Sequence, residues 1–259
     1  RWQIRDGNHN FILRNLEIKN FKGSGLSITA NNIQVLNCTI HDQISVSGSS
    51  GERYYGIYFA SGSNGLIQGN KIYNNPGGGI QAYPGPISNL VVRGNSIYNN
   101  NRMVSSPVGG IIVQGSSGKV VSGTQIYNNL VYNNAKASGS GAADGITIST
   151  YTSNTKVLNN TVYGNKRYGI RVGYDSTTTN TVVQNNIMYA NGSGNYYHKA
   201  TATTYDHNVT TDPKFVSPSS SNFQLQASSP AANKGVKLSS VSTDYRNIPR
   251  PKGSSHDIG

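Results

Sequence analysis

A two-part unit recurs along the 259-residue chain. One part is a glycine leading a short alternating stretch: GLSIT, GIYFAS, GGIQAY, GGIIVQ, DGITIST and YGIRVG. The other is CTIHD, NKIYNN, NSIYNN, NLVYNN, NTVYGN and NIMYAN. From Ile57 to Ile80, Ile111, Ile146 and Ile170 the steps are 23, 31, 35 and 24 residues, so a minimal coil near 23 carries insertions at some turns. A unit this short buries its apolar side chains only by stacking on its neighbours, which is the physics of a solenoid. Very short strands of period two, in a coil too short for a propeller blade and unlike a leucine-rich horseshoe, predict an all-β parallel β-helix.

The paired asparagines suit the corners of such a coil, because Asn tolerates the left-handed backbone of a tight turn. Stacked at one corner, Asn37, Asn70, Asn95, Asn129, Asn160 and Asn186 are expected to form an amide ladder from coil to coil. A residue type repeated in every coil marks structure rather than one site. Along the glycine-led strands, Ile57/Phe59, Ile80/Ala82, Ile146/Ile148 and Ile170/Val172 are predicted to face inward. The outward column is then Ser27, Tyr58, Gln81, Ile112, Thr147 and Arg171, a continuous exposed stripe with a rise of about 4.8 Å per coil. Tyr83, Gln114, Tyr174 and Asp175 extend it where the strands end, and Tyr55, Asp144 and Tyr168 border it where they begin.

Thirty glycines and only 12% charged residues argue against helices and for turns. A net charge of +12 points to a polyanionic partner or simply to a cationic surface. The basic residues are spread out, with no recognition helix or aromatic RNA-reading motif, so an acidic polysaccharide fits better than nucleic acid. Cys38 is the one cysteine, which excludes an intrachain disulfide and reads as a packed strand position. No apolar run is long enough to span a membrane, and a start at Arg1 without a signal peptide is what a mature secreted protein would show. A monomer is expected.

Through these repeats, over residues 8 to about 195, the chain resembles the right-handed parallel β-helix proteins of the pectate-lyase-like class. That class includes polysaccharide lyases, glycoside hydrolases and uronan epimerases. The segments DPKF, NFQLQASSPAANKG and RPKGSSHDIG look like the ending of many secreted bacterial β-helix proteins. Coils are therefore expected over 1–195, and over 196–259 a C-terminal extension that packs along or caps the last coils and protects an open sheet edge. The resemblance implies that a sugar chain lies on the exposed strand face. Tyr55, Tyr58, Gln81, Tyr83, Arg102, Asp144, Thr147, Tyr174 and Asp175 are the candidate substrate-binding residues.

The charges separate the chemistries. Glycoside hydrolysis needs two carboxyl groups, roughly 5–5.5 Å apart for retention and 6.5–9.5 Å for inversion. Of ten acids, only Glu52, Asp144 and Asp175 fall centrally, and Asp144 and Asp175 sit at opposite ends of adjacent strands. β-Elimination on a uronic acid instead needs a cation on the C5 carboxylate, a base for the α-proton and an acid for the leaving oxygen. Arginine suits the first role through its planar fork, and Lys or Tyr the second. GNKRYGIRVGYD supplies Lys166, Arg167, Tyr168 and Arg171. The chondroitinase B and alginate lyase group, which this segment resembles, uses a Lys and Arg pair on this face. That implies Lys166 and Arg171 as catalytic residues, with Tyr168 beside them. No cluster of acids forms a calcium site, although Asp144 with backbone carbonyls offers a weak place for Ca²⁺. The Tyr-Gly-Phe-Asp-Pro-His type motif of the epimerases is absent. A hydrolase using a carboxylate pair and a non-catalytic glycan-binding or cell-surface module are the alternatives.

Tyr73, Tyr98, Tyr132 and Tyr163, in the repeated IYNN position, are expected to stack on one another. His41 beside Asp42 reads as a structural pair, and no histidine shows metal-ligand spacing. Insertions at 43–54, 101–108 and 135–143 are expected to bring Glu52, Arg53, Arg102 and Lys136 towards the groove.

Overall fold

Each coil turns through three short parallel strands, and the repeats set the register that stacks them. The computed structural model describes residues 2–45, 54–102, 108–135 and 143–259. Glu52, Arg53 and Lys136 lie outside the described residues. Among those described, one 3-10 turn at Pro218–Ser220 is the sole helical element, and no helix is long and apolar enough to cross a membrane. The chain is an all-β, right-handed parallel β-helix.

The glycine-led sheet stacks Trp2–Ile4, Leu26–Thr29, Ile57–Ser63, Ile80–Ala82, Val108–Val113, Ala143–Ile148, Tyr168–Val172 and Gly194–His198. A second sheet carries strands such as Val91–Arg93 and Gln125–Tyr127. The third, seven-stranded sheet runs from Glu17–Lys19 to Ile187–Tyr189 and holds the tyrosine column. Ile57, Ile80, Ile111, Ile146 and Ile170 are in register and at most 1% exposed, with Phe59, Ala82, Ile148 and Val172 buried behind them. The leading glycines are needed because the coils approach closely there. A Cβ on Gly145 would stand 2.2 Å from Val162 Cγ1.

The asparagine doublet divides its work. The first member takes the left-handed turn, as at Asn128, Asn159 and Asn185 (φ 54°, 47° and 57°), a place filled by Gly69 and Gly94 in other coils. The second is buried, and its amide donates to the next coil's amide oxygen: Asn70 to Asn95, Asn95 to Asn129 and Asn129 to Asn160, each at 2.9 Å. The ladder continues through Asn186 to Asn208. Asn37 is not part of it. With φ 53° it occupies the turn place, and Cys38 stands first in the ladder, its backbone N–H donating to Asn70 Oδ1 at 2.8 Å. A second ladder, Asn75–Asn100–Asn134–Asn165–Asn191, closes the following corner.

On the outside of the third sheet His41, Tyr73, Tyr98 and Tyr132 stack with centroids 4.7, 5.0 and 4.9 Å apart. His41 is also held by Asp42 at 2.7 Å and Glu17 at 3.1 Å, which fits its structural reading. Parallel pairing runs past residue 195, through Gly194–His198 and Thr201–Asp206 to a bridge between Ile187 and Val209. The remaining chain lies along the tyrosine sheet. The hairpin Phe215–Ser217/Asn222–Leu225 sets Phe223 5.0 Å from Tyr132, and Tyr245 Oη lies 2.7 Å from Ser96 Oγ. The last strand of the second sheet, Thr201–Asp206, remains largely exposed, so the extension covers a sheet face rather than that edge.

Candidate functional site

The outward column of the glycine-led sheet has the register the repeats predict, Ser27, Tyr58, Gln81, Ile112, Thr147 and Arg171, and the structure extends it by Gln3 at one end and Tyr197 at the other. Its exposure differs from expectation. Gln81, Ile112 and Thr147 are 4, 6 and 4% exposed, so the stripe is covered in its middle and open towards its ends. Ile112 packs with Tyr55 and Tyr58, whose rings stack at 5.9 Å. Apolar contact outweighs solvation at this outward position. Tyr55, expected at the border of an open groove, is buried at 2%.

Towards the C-terminal end, Tyr168–Val172 and Gly194–His198 assemble an aromatic box around one cation. The Arg171 guanidinium carbon lies 3.6 Å from the Tyr174 ring centre, 5.0 Å from that of Tyr197 and 6.0 Å from that of Tyr168. Tyr168 and Tyr197 contact each other at 5.0 Å. Stacking on ring faces holds a planar guanidinium while leaving its N–H edge unused. The Arg171 Nε–H is buried and has no hydrogen-bond partner.

Beside the box, Asp144 is fully buried and accepts four hydrogen bonds. Arg167 Nε–H donates to Oδ1 at 2.6 Å and Nη2–H to Oδ2 at 2.5 Å. The Tyr168 N–H donates to Oδ1 at 3.1 Å and the Thr147 hydroxyl to Oδ2 at 2.8 Å. Four bonds saturate the lone pairs of a carboxylate. Asp144 therefore neither meets substrate nor ligates Ca²⁺ as expected, and Thr147 serves Asp144 rather than the surface. Among the described residues no group of three or more His, Cys, Asp or Glu side chains is placed to hold a metal ion. Burial opposes the Arg167 charge, but the Asp144 carboxylate outweighs it and raises the Arg167 pKa above its ordinary value. Arg167 Nη2 also reaches Tyr174 Oη at 3.4 Å. Asp144 thus fixes Arg167, which steadies the ring on which Arg171 rests.

The other candidates lie apart. Lys166 is exposed on the turn into the strand, its N–H donating to the Asn134 carbonyl, outside the box's cation–π contacts. Asp175 closes a local turn by accepting from the Thr177 hydroxyl and N–H, which lower its pKa. Tyr83 is half-buried three coils away. Gln81 is buried beneath the covered stretch. Arg102 sits at the corner after the tyrosine sheet, 3.6 Å from Asp42, rather than in the groove. Tyr197 and the Asp144–Arg167 clamp are additions to the sequence reading. GNYYH repeats the glycine-led pattern once more, and Asp144 and Arg167 begin adjacent strands, so both were open to detection.

The chain matches the family model described as right handed beta helix region over residues 3–141, 43–209 and 100–243. No curated protein matches it. Pectate lyase Pel9A superposes with a TM-score of 0.64 at 14% identity, over 97% of this chain and 72% of that one. The D317A mutant of the periplasmic alginate epimerase AlgG gives 0.61 at 14%, over 78% of this chain and 45% of that one. The mannuronan C-5 epimerase AlgE6 A-module of Azotobacter vinelandii gives 0.58 at 18%, over 79% and 59%. The chain thus spans less than half of the periplasmic epimerase and somewhat over half of the AlgE6 module. At such identities the likeness is one of fold.

Proposed function

The chain belongs to the right-handed β-helix family, and we propose that on this scaffold it is a carbohydrate-active enzyme cleaving a uronic-acid polysaccharide by β-elimination at Arg171. The observation that carries this reading is the Arg171 guanidinium on the outward column, stacked on the faces of Tyr174, Tyr197 and Tyr168 so that its planar edge is turned away from the rings. A sugar carboxylate is a planar anion that such an edge binds through paired hydrogen bonds. Neutralising that carboxylate acidifies the C5 proton. Tyr168, whose ring borders the Arg171 guanidinium, takes the proton, a C4–C5 double bond forms, the C4–O bond breaks, and the proton passes on to the departing oxygen.

Among the described residues the central carboxylates do not favour hydrolysis. Asp144 is saturated by Arg167, and Asp175 is engaged in its own turn, so neither belongs to an opposed pair. The structural neighbours, a pectate lyase and two alginate or mannuronan epimerases, support a uronic-acid polymer as the substrate. Lyases and epimerases share abstraction of the C5 proton. A site of action outside the cytoplasm, as for the periplasmic epimerase, belongs to the same proposal.

The test is a panel of uronans followed by the ultraviolet absorbance of the unsaturated uronide. The wild type is expected to generate it, and Arg171→Ala to lose on the order of 10²–10³ in rate. New reducing ends without that absorbance, or retention on a glycan column without turnover, would replace the lyase by a hydrolase or a binding module.

A further inference from the structure

The outward column changes character on one side of Arg171. Thr147, its neighbour towards the N-terminal end, is 4% exposed, and Ile112 and Gln81 beyond it are buried as well. The cover therefore begins one register step from Arg171, about 4.8 Å away. It is fixed in place: the Thr147 hydroxyl is turned to Asp144, and Ile112 packs on Tyr55, whose ring stacks on that of Tyr58. On the other side the column has one further member, Tyr197, and the same coil runs on into the exposed strand Thr201–Asp206. Tyr168 stands where the Arg171 strand begins and Tyr174 beyond its end, each with its ring against the guanidinium. Arg171 thus lies in a socket that is closed towards Thr147 and open past Tyr197.

We infer that the closed side at Thr147 and Ile112 makes the site end-specific, so that it releases single residues from the reducing end of a 4-linked uronan. The inference rests on the elimination proposed at Arg171. There the residue whose carboxylate lies on Arg171 loses its own C4–O bond. Tyr168 takes the C5 proton, the C–H electron pair forms the C4–C5 double bond, and the C4–O pair leaves with the oxygen, which the proton then caps. The rest of the chain is therefore joined to this residue on its C4 side, and the one open direction, past Tyr197, has to carry it. C1 lies at the opposite end of the same ring and faces the cover. A further sugar there would need the space of close-packed side chains. The residue on Arg171 is then the last of its chain, with a free C1. Each turnover yields one unsaturated monosaccharide, and the oxygen that departs becomes the new reducing end of a chain shorter by one residue.

The experiment gives the wild type polygalacturonate and polymannuronate, follows ultraviolet absorbance and viscosity together, and identifies the early products by mass spectrometry. Absorbance is expected to rise while viscosity stays near its starting value, with unsaturated monosaccharide as the early small product. Oligomers of the same sugar carrying an aromatic amine label on C1 are expected to react roughly tenfold more slowly than unlabelled ones, because the label meets the cover. Oligomers with an unsaturated residue at the opposite end are expected to react at the unlabelled rate. An early fall in viscosity, early products of mixed length, or equal rates for C1-labelled and unlabelled oligomers overturns the end specificity and leaves elimination at Arg171 standing. Absence of the absorbance with both polymers overturns the reading of Arg171, and the end specificity with it.

Discussion

Replacing Asp144 by alanine leaves the Arg167 guanidinium, whose side chain is only 17% exposed, without its counter-charge. Four hydrogen bonds disappear with the carboxylate, two from Arg167 and one each from Thr147 and the Tyr168 N–H. Breaking a buried ion pair from one side costs about 3–5 kcal/mol, because the surviving charge stays desolvated. With a urea m-value of ~3 kcal/mol/M, the midpoint of unfolding is expected to fall by roughly 1 to 1.7 M. The control is the double replacement Asp144→Leu with Arg167→Met, which removes both charges and fills their space. Such apolar substitutions of a whole pair are often neutral, so the double variant is expected to recover most of the loss. A single variant with an unchanged midpoint, or a double variant no more stable than the single, would refute the clamp as the organiser of this corner.

Other outcomes follow from the ladders and the tyrosine stack. Asn129→Ala strands the Asn95 amide and backbone N–H, both of which donate to Asn129 Oδ1, and is expected to cost on the order of 3 kcal/mol in urea unfolding. Cys38→Asn places an amide where the ladder lacks one and is expected to raise stability by about 1 kcal/mol in the same assay. Burial, reinforced by Tyr132, Tyr73 and Tyr245, pushes the Tyr98 phenol up to about 12. The folded chain then keeps a proton that an unfolded tyrosine loses near pH ~10, so stability holds below about pH 10 and declines as the pH rises through about 12. Tyr98→Phe is expected to lessen that alkaline decline, measured as melting temperature against pH.

The coil and its register were legible because inward Ile, leading Gly and corner Asn repeat with a period that only stacking satisfies. The ladder's first position was misplaced by one residue. In GNK and NNL the second residue carries the buried amide, while LNC offers an asparagine only at the turn place, so residue type misled where alignment to the following strand decided. Strand parity located Arg171, Tyr168 and Tyr174 on one surface. It carries no information on what lies above a strand, and so Gln81, Ile112 and Thr147 were expected in the open. Asp144 was weighed as an acid able to meet substrate because its partner is a diagonal neighbour on the next coil, 23 residues on. Tyr197 is hard to read from the sequence because the Asn-led repeat fades after NIMYAN while the glycine-led one continues through GNYYH.

The proposed function turns on recognition of a uronic acid carboxylate by Arg171. The most direct measurement compares binding of one polyuronate with that of its fully methyl-esterified form, in the wild type and in Arg171→Gln. The wild type is expected to bind the acid at least tenfold more tightly than the ester, and Arg171→Gln to bind the two alike. Equal affinity of the wild type for acid and ester, or a preference that persists in Arg171→Gln, would contradict it.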